Sequence, residues 1–228
     1  MSKSSYLIKN MGILTISNFS SKILVFLLVP LYTSVLSTKE YGTYDLAVST
    51  ATLLYPILTL NIVDAVMRFL MDKESDKKAI ASIGLKYVSI SSVLFGFIML
   101  FFYITGIWSD INGLEGYIFS YYISYVINQF FIQFAKGLEK VKNMGVAGVL
   151  STIVTIIANL FFLLVIKWGL IGFFLANILA QIVSAIYLFL KTEIYNYIEI
   201  KRQPIALRRE MLIYSVPLIA TVVGWWVN

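Results

Sequence analysis

Five long runs of the chain carry no charged side chain: residues 46–63, 87–109, 116–135, 146–166 and 168–190. A helix rises about 1.5 Å per residue, so about 20 residues cross a hydrocarbon layer of ~30 Å. Each run is close to that length or longer. None shows the strict alternation of a barrel strand. The pattern predicts an all-α, polytopic transmembrane helical bundle. Its spans are residues 11–36, 42–70, 80–106, 117–134, 144–166 and 169–190, numbered 1 to 6. A seventh apolar stretch opens at 211 and reaches Asn228, the last residue, before it is long enough to exit comfortably. The expected organisation is an N-terminal six-helix lobe over 1–190, a linker over 191–210, and the start of span 7 and a second lobe over 211–228. The chain reads as the N-terminal part of a longer protein with at least six further spans.

Composition agrees with this pattern. The chain is 59% hydrophobic and 13% charged, with mean hydropathy +0.84, against roughly 25% charged residues in soluble domains. Residues 1–10 carry Lys3 and Lys9, and the apolar stretch behind them outlasts a signal core, so it reads as a retained first span. Of 18 basic residues, 15 fall in loops on the side of the N-terminus, Lys39 and Lys167 fall opposite, and Lys22 lies within span 1. The asymmetry predicts a cytoplasmic N-terminus. It also assigns the net charge of +6 to topology rather than to nucleic acid. Trp108, Trp168 and Tyr41 fall where an outer aromatic belt would sit. The stretch 205–213 suits either a short amphipathic surface helix or a solvated connector.

There is no Cys and no His. That removes disulfides, thiolate metal sites and imidazole chemistry. No glycine-rich phosphate loop, metal-ligand cluster or nucleophile triad is present, so no catalytic residue, metal site or cofactor is expected.

Ionisable residues inside a bilayer cost at least about 2.5–3.5 kcal/mol each, which marks them as functional candidates. Lys22 sits mid-span with Asn18 one turn earlier, and a cation there suits a phosphate or other anion. A structural pair with Asp45 or Asp64 is the alternative. Span 2 sets Asn61, Asp64 and Arg68 three and four residues apart, on one helical face. Asp64 is either a coupling carboxylate or the partner of Arg68, and Arg68 either a substrate contact or a topology anchor. Asp45 is a second coupling candidate. Polar stripes recur in span 4 (Gln129, Gln133, Lys136), span 5 (Ser151, Thr155, Asn159) and span 6 (Asn177, Gln181, Ser184). They suit interhelical hydrogen bonds or a shared wet cavity. Pro30 and Pro56 interrupt spans 1 and 2, and Pro217 sits in the seventh; each is a candidate kink or gate.

Several blocks, taken together, resemble one family. They are Pro30-Leu31-Tyr32-Thr33, Leu36-Ser37-Thr38-Lys39-Glu40-Tyr41-Gly42, Tyr44-Asp45-Leu46, Asp64-Ala65-Val66-Met67-Arg68-Phe69, and Tyr214-Ser215-Val216-Pro217-Leu218 with Trp225-Trp226. The resemblance is to Wzx-type oligosaccharide flippases, polysaccharide biosynthesis proteins of the multidrug/oligosaccharidyl-lipid/polysaccharide exporter superfamily. Ala220 departs from that pattern, which has a proline there. The resemblance implies two six-helix lobes around a cavity. It implies alternating-access movement of an undecaprenyl-pyrophosphate-linked oligosaccharide across a bacterial cytoplasmic membrane. Lys22 and Arg68 match positions where the family carries basic residues. Coupling to a proton or sodium gradient is left open, as is association with polymerase and chain-length proteins. The competing readings are a drug or organic-cation antiporter of the same superfamily, a membrane-embedded glycan polymerase, and a seven-helix receptor. The short outer loops disfavour the polymerase. The absence of a ligand-attaching lysine or outer disulfide in span 7 disfavours the receptor.

Overall fold

The computed structural model describes residues 28–199 and 203–227, and every regular element among them is helical. Residues 28–35 form a helix that includes Pro30. Lys22 and Asn18 lie outside the described residues.

Helix α1, Thr38–Leu58, starts at a capping box. The Ser37 hydroxyl accepts from the Glu40 amide at 3.2 Å, and the Ser37 amide donates to the Glu40 carboxylate at 2.8 Å. The two bonds satisfy amides that a helix start leaves open. Helix α2, Ile62–Leu70, follows after a break, bent 60° from α1. The sequence places this break at Pro56, but Pro56 lies in the last turn of α1 and the chain turns four residues later, at Leu60. Leu60 and Asn61 take left-handed φ values of 52° and 50°, and the Asn61 amide returns to the Pro56 carbonyl at 2.8 Å. Asn tolerates this region. A branched apolar residue such as Leu60 does not, so the bend holds strain of order 1–3 kcal/mol.

The next helices are α3 (Lys77–Thr105), α4 (Glu115–Gly137), α5 (Val141–Asn159) and α6 (Gly169–Thr192). Asp76 caps α3 by accepting from Lys78 and Ala79 amides at 3.1 and 3.0 Å, and Gly106 ends it at φ 60°. α5 continues without interruption as a π-helical turn, Leu160–Val165. The last helix, α7, is Ile205–Val227, so residues 205–213 are its opening turns and it runs unbroken past Pro217.

α4 is the hub. It packs against α1, α2, α3, α5 and α6. Phe95 of α3 stacks on Tyr122 of α4 at 4.0 Å. Gly84 of α3 admits the close approach of Val66 and Phe130; an added Cβ would stand 2.5 Å and 2.6 Å from their side chains. At one end of the bundle, Tyr32, Tyr44, Phe173 and Phe174 interlock, with ring centroids 4.0–4.8 Å apart, and tie residues 28–35 to α1 and α6. We call this the Trp108 end. At the other end Lys140 Nζ donates to the Lys191 and Thr192 carbonyls at 3.1 and 3.2 Å, closing the C-terminus of α6. A single turn, Ile194–Tyr197, follows. Ile194 is fully buried, Tyr197 meets Phe134 edge-on at 5.4 Å, and Glu199 bridges to Lys78 at 3.1 Å.

Among the described residues three helices are long and apolar enough to cross a bilayer: α3, α5 with its π-helical turn, and α6. The bent pair α1–α2 makes a fourth. α4 is of similar length but carries Tyr, Ser, Asn and Gln among its apolar residues. Its place among five neighbours explains why it tolerates them: they screen it from lipid. α3 and α5 instead present Phe97, Phe101, Ile104, Ile153 and Ile157 outward. Such rows in water would form an exposed apolar patch larger than monomers sustain; in hydrocarbon they cost nothing.

The Gly84 contact gives a direct test. Gly84→Ala overpacks the α2–α3–α4 junction and lowers stability by about 1–3 kcal/mol. Gly42→Ala, where an added Cβ meets nothing within 4 Å, leaves the melting temperature in detergent unchanged or slightly higher.

Candidate polar site at the break in span 2

The break delivers Asp64 to the first turn of α2, where the helix dipole favours a negative charge. Asn61 Nδ2 donates to Asp64 Oδ2 at 3.0 Å, and Gln133 Nε2 on α4 donates to Oδ1 at 2.7 Å. Each carboxylate oxygen thus has an amide donor. Asn61 is buried and Asp64 half-buried. Gln133 Oε1 is buried with no hydrogen-bond partner. Arg68, one turn on, is exposed and makes no ion pair with Asp64. Of the two readings of Asp64, the one in which it pairs with Arg68 is not what the structure shows. The amides satisfy the carboxylate without desolvating a guanidinium, and Arg68 keeps its charge in the open.

The other predicted residues fall in distinct settings. Gln129 lies beside Tyr125, and Gln181 beside Tyr121. Asn159 is fully buried and donates to its own helix, to the Thr155 carbonyl at 2.8 Å. Asn177 does the same to the Phe173 carbonyl at 2.9 Å. The stripe on α5 therefore bonds within its helix at these points, as Thr155 also does to Ser151 at 2.9 Å. Asp45 is exposed near the Trp108 end of α1, close enough to Tyr44 to act on it electrostatically. Pro30 and Pro217 are exposed and Pro56 is buried. Asp64 and Gln133 join in one cluster; Asn159 and Asn177 do not reach it.

Two features escaped the sequence reading. One is a row of tyrosines on the inner face of α4 and α1, whose signal was the four-residue spacing of Tyr121, Tyr125, Gln129 and Gln133. The other is the π-helical turn directly after Asn159, where the Ile166 amide reaches back five residues to Phe161 at 3.0 Å; nothing in Leu160–Val165 announces it. A groove of about 740 Å³ lies between α4 and α6, lined by Tyr117, Ile127, Phe131, Ile178, Ile182 and Phe189 among others. Its walls offer hydrocarbon contact rather than hydrogen bonds. No group of three or more acidic residues that could hold a metal exists among the described residues.

The family model described as "Polysaccharide biosynthesis protein" matches residues 7–228. No curated protein sequence matches the chain. In fold the chain is similar to a MOP superfamily transporter from Pyrococcus furiosus Vc1, with TM-score 0.62 and 18% identity over 94% of this chain and 50% of that one. It is also similar to a multidrug resistance MATE family transporter of the MOP superfamily in an outward-facing conformation, with TM-score 0.57 and 16% identity over the same shares. The chain spans about half the length of these structures.

The Asp64–Gln133 bond should be visible in stability. Gln133→Leu leaves a half-buried carboxylate oxygen without its donor, at a cost of about 1–3 kcal/mol. A double-mutant cycle with Asp64→Leu, read by thermal unfolding in detergent, should return most of that loss in the double variant.

Proposed function

The chain belongs to the family of polysaccharide biosynthesis proteins, and from that premise we propose that it is the N-terminal lobe of a flippase. Its cargo is an undecaprenyl-pyrophosphate-linked oligosaccharide, moved from the inner to the outer leaflet of a bacterial cytoplasmic membrane. The N-terminus is cytoplasmic on this reading, so the Trp108 end faces out. The movement is alternating access of this lobe against a second one.

The observation that carries the proposal is the broken span. Transporters place discontinuous helices where substrate or coupling ions bind, because irregular backbone is tolerated only beside a cavity or within protein. Here the break holds a carboxylate on two amides, with an exposed guanidinium one turn away. Arg68 and Lys22 serve the pyrophosphate in this reading, Arg68 as a fork suited to bidentate phosphate contact. The polar side chains Gln129 and Gln181, beside tyrosines, suit sugar hydroxyls. Asn159 and Asn177 contribute through their free amide oxygens only. Asp64 couples the cycle to an ion gradient. Polymerase and chain-length proteins are the natural neighbours of such a transporter.

One observation favours a second reading. Among the described residues Asp64 has no cationic partner, as expected of a site that admits an organic cation, and one of the two similar folds is a multidrug transporter. The exposed Arg68 on the same helix opposes it, because a cation would be repelled there.

Deleting the gene separates the two. Under the flippase reading, lipid-linked oligosaccharide accumulates in the inner leaflet, surface polymer disappears, and the intact gene restores both. Unchanged glycan with raised sensitivity to cationic drugs would establish the antiporter. In the complemented strain, Lys22→Ala or Arg68→Ala should cut surface polymer by about tenfold or more, the weight of a charge-assisted phosphate contact. Full surface polymer in both variants would refute the phosphate assignment.

A further inference from the structure

Two side-chain amides meet one carboxylate at the break in the span, and each holds it by its nitrogen. Gln133 Nε2 lies 2.7 Å from Asp64 Oδ1, and Asn61 Nδ2 lies 3.0 Å from Asp64 Oδ2. The arrangement has a cost on its far side. Gln133 Oε1 is buried and accepts no hydrogen bond. A native fold retains few such atoms, and each asks for a reason. An amide carries oxygen on one arm and nitrogen on the other, at nearly equal size. Half a turn about the last side-chain bond exchanges them with little change in packing. After that turn the Gln133 oxygen takes the nitrogen's place beside Asp64 Oδ1, and the same turn of Asn61 brings its oxygen beside Oδ2. Amide and carboxylate oxygens repel one another, so this second arrangement stands only with a cation among them.

The backbone favours the same ligand. α1 ends at Leu58 and α2 begins at Ile62. A helix end leaves carbonyls open and carries the negative pole of the dipole. That end of α1 runs directly into the left-handed turn at Leu60 and Asn61. Broken spans in transporters use such carbonyls to coordinate small cations.

The donor set and the charge select the ion. The chain has no Cys or His, and a set made only of oxygens suits a hard cation. Ca²⁺ takes its oxygens at about 2.3–2.6 Å, and Na⁺ is close to it in size, so oxygens 2.7–3.0 Å apart both fall within reach of one such ion. Asp64 supplies a single negative charge. Arg68 on α2, Lys86 on α3, Lys136 on α4, and Arg208, Arg209 and Glu210 on α7, which packs against α2, are exposed, and none pairs with Asp64. A monovalent ion therefore leaves the cluster neutral. A divalent one would leave a net charge among apolar neighbours, which is unfavourable.

We propose that the break binds one sodium ion through the Asp64 carboxylate, the side-chain oxygens of Asn61 and Gln133, and carbonyls at the end of α1. The proposal rests on the reading of Asp64 as the group that couples transport to an ion gradient. Without the ion, both amides turn their nitrogens to the carboxylate and hold it. With the ion, both turn their oxygens, and Gln133 Oε1 gains the partner it lacks. The ion then ties α2 and its bend to α4, the helix that contacts most of the lobe. A proton on Asp64 does less: it needs one acceptor, so Gln133 turns and Asn61 stays a donor.

The test is binding of radiolabelled Na⁺ to the purified full-length protein, in choline chloride at constant ionic strength. Saturable binding is expected, displaced by unlabelled Na⁺. Gln133→Leu and Asn61→Gly should each weaken it about tenfold or more, the scale on which metal affinity falls when supporting groups are lost. Gly accepts the left-handed turn, so the bend is kept. Asp64→Asn should abolish binding, and Glu74→Gln, in the exposed turn after α2, should bind as native. Melting in choline checks that each variant is folded; if Gln133→Leu melts early, Gln133→Met replaces it. Native binding in Asp64→Asn, or in both amide variants, overturns the site. Absence of saturable binding by the unaltered protein overturns it too, and acid stabilisation that Asp64→Asn removes would then assign the carboxylate to protons. Binding with the expected variant pattern, but glycan movement indifferent to a Na⁺ gradient, supports the site and refutes the coupling.

Discussion

A carboxylate in an apolar bundle has to be neutralised, paired with a cation or held by hydrogen-bond donors. Asp64 is held by donors. Asn61 and Gln133 each give it one N–H, and the start of α2 adds its dipole. That choice constrains much else. Asn61 can reach only because it occupies the left-handed turn that bends the span by 60°. Gln133 can reach only because Gly84 and Gly137 let α2, α3 and α4 close up; a Cβ on Gly137 would stand 2.7 Å from Leu70 Cβ. Arg68, released from pairing, remains exposed one turn away. A strained backbone, two tight helix contacts and an exposed guanidinium all follow from satisfying one acid with amides.

The helices themselves were legible because lipid leaves few options. Charge-free runs of span length become helices, and the structure closes two of them with caps at Asp76 and Gly106 and at Ser37 with Glu40. Six spans and a seventh were expected; among the described residues, α3, α5, α6 and the bent pair meet the length and apolarity of a crossing helix. α4 falls short because its polar row faces protein, which hydropathy along a single chain does not register.

The site was only partly legible. Spacing put Asn61, Asp64 and Arg68 on one face, but spacing does not say which partner wins, and the decisive donor came from Gln133, 69 residues away. The proline signal placed the break in the right span and four residues too early, because the turn is set by Leu60 and Asn61 in a conformation that no propensity favours for Leu. Asn159 and Asn177 suited either interhelical bonds or a wet cavity, and their amide nitrogens bond carbonyls one turn back on their own helices. Polar side chains in a helix always have that local choice. Lys22, the most costly charge in the sequence, lies outside the described residues.

The central claim is transport of a lipid-linked glycan, and purified protein tests it without the cell. The full-length protein would be reconstituted into vesicles with an undecaprenyl-pyrophosphate-linked sugar confined to the inner leaflet. An impermeant sugar-oxidising reagent outside then reports arrival in the outer leaflet. The account predicts that the labelled fraction rises with time only in vesicles that contain the protein. Labelling no faster than in protein-free vesicles, from protein that is folded and correctly inserted, would contradict it.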